Sequence, residues 1–95
     1  MQIEINYKNP QKPRGVVNNQ PVPLNSTFSF FSPDGKLEVE FLNDSPVKGD
    51  EKGKRHPDRT DLVASKPGRF EFQCFIDGVL VPEGGGGVLL VPDTM

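Results

Sequence analysis

Apolar and polar residues alternate along much of this chain with a period of two. From Gln2 to Tyr7, Ile3, Ile5 and Tyr7 share one face while Gln2, Glu4 and Asn6 share the other. That is the pattern of a strand with one buried side. Lys36 to Phe41 repeats it, with Leu37, Val39 and Phe41 inward and Lys36, Glu38 and Glu40 outward. Arg69 to Ile76 sets Phe70, Phe72, Cys74 and Ile76 on one face and Glu71, Gln73 and Phe75 on the other. Val88 to Val91 is apolar throughout, which predicts a central strand. Ser26 to Phe31 reads as a further strand, and short ones are expected at Val16–Val17, Leu62–Val63 and Val79–Val81. No apolar pattern of helical period lasts beyond two turns, so helices are not expected.

The turns between these runs have their own chemistry. Ser32-Pro33-Asp34-Gly35 lies between two strand patterns and predicts a hairpin, since Pro presets φ and Gly accepts a positive one. Asp77-Gly78 predicts a second turn with a short return strand. Asn9 to Pro23 carries four prolines and is expected to be an extended connection or a broken edge strand. Asn43 to Asp61 holds ten charged residues, five of each sign, and no apolar period. It reads as a long solvated loop, exposed to partners and dispensable for folding. Pro82 to Gly87 reads as a flexible connection.

Composition sharpens the same picture. The 95 residues fit one domain, 1–95, with the charged loop at 43–61 set into it. Seven Phe and one Tyr supply most of the apolar bulk, and Ala64 is the single alanine. Ten Pro and ten Gly suit a fold with many turns. Eleven basic and thirteen acidic residues leave a net charge of −2, without the basic excess of a nucleic-acid binder. No apolar run reaches membrane-spanning length, and the N-terminus has no signal-peptide pattern. With Cys74 as the one cysteine, no internal disulfide can form, and a cytoplasmic location is expected.

One stretch resembles a known family. Pro67-Gly68-Arg69-Phe70-Glu71-Phe72-Gln73-Cys74, followed by a loop and the glycine-led Gly87-Val88-Leu89-Leu90-Val91, is similar to the C-terminal third of cupredoxins. Immunoglobulin-like domains carry a related aromatic strand ending in Cys. The cupredoxin resemblance implies a copper-ligating Cys at position 74, with a His and often a Met soon after it and a second His upstream. Phe75 to Gly86 contains neither His nor Met, Met95 follows the last strand, and His56 is the only imidazole. A type 1 copper site takes two His and one Cys. The resemblance therefore points to a member without copper, and no cofactor is expected.

Other candidate sites have plainer readings. Cys74 is in phase with Phe70 and Phe72, as a buried thiol would be, with no cation beside it to activate it. His56, within Lys54-Arg55-His56-Pro57-Asp58-Arg59, is expected to stay in water among cations that discourage a metal. Glu83-Gly84-Gly85-Gly86-Gly87 lacks the Lys and Ser or Thr of a phosphate loop and leads into a strand, not a helix. Lys48 to Arg59 offers no aromatic for base stacking. Asp44, Asp50, Asp58 and Asp61 lack the spacing of a calcium loop.

The expectation is an all-β fold: a small antiparallel β-sandwich of about 6–8 strands, Greek-key, cupredoxin-like or immunoglobulin-like. No catalytic residue is indicated, and the metal candidates go no further than Cys74 and His56. The expected role is a non-catalytic binding or interaction module, whose partner is another protein taken up at an edge strand or the end loops, with no nucleic acid or membrane involved. The alternatives are a cupredoxin-related metal or electron-transfer protein with an incomplete site, and an accessory domain of a larger enzyme assembly.

Overall fold

The computed structural model of the protein describes residues 1–82 and 86–93, and among them there is no helix. The strands are β1 (Gln2–Asn6), β2 (Gly15–Val16), β3 (Thr27–Phe31), β4 (Leu37–Phe41), β5 (Arg55–Pro57), β6 (Leu62–Val63), β7 (Gly68–Ile76), β8 (Val79–Leu80) and β9 (Gly87–Val91). They form two sheets packed as a sandwich. The first has the order β2-β1-β3-β6. The second runs β5-β4-β7-β8, with β9 also on β7. No helix of the described residues is long and apolar enough to cross a membrane.

The alternating runs become the inner faces. Ile3 and Ile5 of β1 and Phe28 and Phe30 of β3 are buried against Leu37, Val39 and Phe41 of β4 and Phe70, Phe72 and Cys74 of β7. Pairing between β4 and β7 sets Val39 opposite Cys74 and Phe41 opposite Phe72, so both apolar faces point the same way. Asp77 and Gly78 take φ of 52° and 82°, as a two-residue turn with both central residues left-handed requires, and β8 returns along β7 as expected.

Three expectations about the strands are corrected. First, β3 and β4 do not form a hairpin: they lie in different sheets, and Ser32-Pro33-Asp34-Gly35 arches over the end of the sandwich. A hairpin would place Phe28, Phe30, Leu37 and Val39 side by side on one sheet. The arch makes them face one another, and Phe30 meets Phe41 with ring centroids 6.3 Å apart. The turn is held from elsewhere. Asp34 Oδ2 accepts the Tyr7 and Lys8 amides at 2.6 and 3.2 Å, and Asp77 Oδ1 accepts the Lys36 amide at 3.0 Å.

Second, the sandwich is not wholly antiparallel, because β1 runs parallel to β3 with Ile3 beside Phe30. Third, β9 is not central. Among the described residues it pairs only with β7, and Leu90 is exposed although every residue of the run is apolar.

The charged segment 43–61 is packed structure. It contains β5, which pairs with β4. Pro46 is fully buried, Val47 packs against the core, and the Pro46 carbonyl accepts the Ser65 amide at 2.8 Å. Sequence pattern missed this because its buried groups are few and follow no apolar period. Of the connection 82–87, residues 83–85 lie outside the described residues, as does Met95.

Candidate functional site

Cys74 is fully buried, as expected. The Tyr7 side chain reaches it from the end of β1 and hydrogen-bonds the sulfur. Burial pushes the thiol up to about 11, and the bond to Tyr7 only partly opposes that rise. The same burial holds the Tyr7 phenol above its ordinary range. A thiol kept protonated and out of solvent is a poor nucleophile.

His56 is not in water. It sits in β5 directly opposite Val39, on the inner side, and is 4% exposed. Its Nε2 lies 2.8 Å from Asp50 Oδ2, and its ring meets Phe41 edge-on at 5.9 Å. The Ser45 hydroxyl donates to the same carboxylate oxygen at 2.6 Å. The other oxygen, Asp50 Oδ1, is buried without a hydrogen-bond partner among the described residues. Asp50 thus ties the charged segment to the sheet through Ser45 and His56. Ser45 donates its hydroxyl hydrogen to the Asp50 carboxylate rather than to the imidazole.

The two metal candidates do not converge. His56 and Cys74 both flank Val39 in one row across three strands. Two strand spacings separate their backbones by roughly 10 Å, and the Val39 side chain stands between them. Among the described residues no three His, Cys, Asp or Glu side chains gather as a metal site. The residues present do not fit type 1 copper.

The glycines of the suspected phosphate loop that are described serve packing. A Cβ on Gly86 would lie 2.1 Å from the Phe72 carbonyl oxygen, and one on Gly87 would lie 2.8 Å from Val16 Cγ2. Both glycines let the chain come close to β7 and β2, with Gly87 already in a β-ladder.

A recess lies along the outer edge of β9. It has a volume of about 340 Å³ and is lined by Val16, Asn19, Arg69, Gly87, Val88 and Leu90. Strand geometry decides what it presents. Leu90 gives its carbonyl to the Val22 amide at 2.9 Å, away from β7. By alternation the N–H and C=O of Val88 and the N–H of Leu90 point the same way, out of the sheet. None of these three groups has a hydrogen-bond partner among the described residues. Pro21 and Pro23 flank Val22 and have no N–H to extend its single contact into a ladder.

The other edges are shorter. β2, β6 and β8 have two residues each, and β5 has three, including Pro57. Short edges interrupted by Pro resist pairing with another chain. Nothing in composition marked β9 as the exception, since an all-apolar run reads as buried on both sides. The glycines leading into it were visible, but their packing role was not.

Compared with protein-family models, curated proteins and solved structures, the chain matches none.

Proposed function

We propose that this chain is a non-catalytic β-sandwich module that binds another protein by accepting an extended segment along the outer edge of β9. The observation that carries this reading is the set of unpaired backbone groups on Val88 and Leu90 beside a recess of about 340 Å³. Main-chain hydrogen bonds supply affinity in strand addition, and pockets for alternate side chains supply selectivity. Apolar walls from Val16, Val88 and Leu90 with a few polar groups between them are what such a recess needs. The cupredoxin-like reading, beside the immunoglobulin-like one, remains a proposal about the fold, and copper chemistry has no support from the positions of His56 and Cys74.

Val88→Pro tests the proposal cleanly. It removes an N–H that points out of the sheet and leaves the β7–β9 ladder intact, a kind of strand position that tolerates Pro. A random-peptide display library selected on the native protein should yield binders that lose the variant. Binders that hold Val88→Pro as tightly as the native chain would refute the role of this edge.

A further inference from the structure

We infer that the segment accepted at β9 is a chain terminus whose free carboxylate sits beside Arg69, an inference that rests on the strand-addition reading above. Two observations point there. The first is where the edge stops. Val22 already occupies the outer side of Leu90 through its amide, and it is fully buried. A strand laid along Val88 therefore has open backbone beside Val88 and as far as the Leu90 N–H, and no room to run past it. The edge accepts the end of a chain more readily than the middle of one.

The second observation is charge. Among the described residues lining the recess, Arg69 alone carries one. Among the described residues its ion-pair partner is Glu71, 4.0 Å away, with both side chains more than half exposed. Such a pair is weak, so the guanidinium is free to turn to a better acceptor. Arg69 stands directly opposite Leu90 on the outer face. A carboxylate held at the Leu90 N–H lies on the far side of β9, nearly two strand spacings or roughly 8–10 Å from the β7 backbone. The long Arg69 side chain covers that span only when extended across Leu90. Asn19, which also lines the recess, adds an amide. The arrangement is an N–H donor, a forked cation and an amide around the blocked end of a strand, which is the chemistry of terminal carboxylate capture. It also sets the direction. The incoming C-terminus lies at Leu90, so the segment runs parallel to β9.

Two display libraries of random decapeptides separate the inference from its premise, one with free C-termini and one with the random segment internal. Enrichment is expected from the free-C-terminus library. A selected peptide is then synthesised as the acid and as the C-terminal amide, and both are titrated into the ¹⁵N-labelled protein and its Arg69→Gln variant. The acid should shift the Val88 and Leu90 amides. Amidation and Arg69→Gln should each weaken binding about tenfold or more, and together hardly more than either alone, as expected for one charge-assisted contact. Binders from the internal library alone, or equal affinity of acid and amide with the Val88 shift retained, would overturn the carboxylate and leave strand addition standing. Enrichment from neither library would overturn both.

Discussion

Phe30 of β3 and Phe72 of β7 meet across the two sheets with ring centroids 5.2 Å apart and planes tilted by 56°. Phe41 lies 6.1 Å from Phe72 and 6.3 Å from Phe30, closing a three-ring cluster at the centre of the sandwich. Tilted pairs at such distances add to the area each ring buries. Phe72→Ala would leave a cavity that neither sheet can close, so it should cost about 3–5 kcal/mol.

Phe75 is the informative contrast, because it is buried on the outer face of the same strand. Its cover is the Arg55 guanidinium, 3.7 Å above the ring. A flexible side chain can follow the retreating surface, and water can enter from the edge. Phe75→Ala should therefore cost less, about 2 kcal/mol. Denaturant melts of both variants check the order. Equal losses would mean that the outer face is packed as tightly as the core.

Asp50 should behave as a buried hub although it lies in the most charged part of the chain. Asp50→Ala leaves the His56 ring and the Ser45 hydroxyl without their partner, a loss of about 2–4 kcal/mol. In a double-mutant cycle, His56→Ala should cost much less once Asp50 is gone. Replacing residues 47–59 with a short Gly-Ser linker removes β5 with both groups and should unfold most of the protein at room temperature. Additive single losses, or a linker variant with an unchanged melting temperature, would return this segment to the role of a solvated loop.

These residues show what could and could not be read from the chain. Period-two alternation identified the inner faces of β1, β4 and β7, because a half-buried strand must alternate. It said nothing of which strands share a sheet, and Pro33-Asp34-Gly35 suits an arch as well as a hairpin. The choice depends on Phe30 meeting Phe72, a contact 42 positions away in sequence. His56 was hidden by its neighbours. Arg55 and Pro57 point outward and dominate the local composition, while the one inward side chain is polar and has its partner at Asp50. The β9 recess was illegible for a different reason: it exists because Val22 stops short between two prolines on another part of the chain.

Alkaline pH should destabilise the fold through Cys74. Its thiol titrates near 9.0 in an unperturbed setting and is pushed up to about 11 by burial. The folded state therefore holds a proton that the unfolded state gives up between those values. Stability is fully present below pH ~9 and falls as pH rises toward ~11, by about 2–3 kcal/mol. Tyr7, also raised by burial, pushes in the same direction as the pH climbs further. Urea midpoints at pH 7, 9 and 10.5 should decline over this range in the native chain and less in Cys74→Ala. Identical pH dependence in the two proteins would mean that the thiol opens to solvent before it ionises.

Gly86 and Gly78 separate two reasons for keeping a glycine. At Gly78, φ is +82° and nothing lies within 4 Å of an added Cβ, so Gly78→Ala costs only backbone strain, about 1 kcal/mol. At Gly86 the difficulty is space. The added Cβ would sit 2.1 Å from the Phe72 carbonyl oxygen and 3.3 Å from Gln73 Cα, and both are backbone atoms of β7 that cannot rotate away. Relief requires the start of β9 to move off β7, straining the ladder that begins at Gly87. Gly86→Ala should thus cost about 1–3 kcal/mol, more than Gly78→Ala. It should also speed amide exchange at Leu89, whose N–H faces β7, before exchange quickens at the β4–β7 pairs. A Gly86→Ala variant as stable as the native chain, with Leu89 equally protected, would show that β9 does not need this close approach to stay in place.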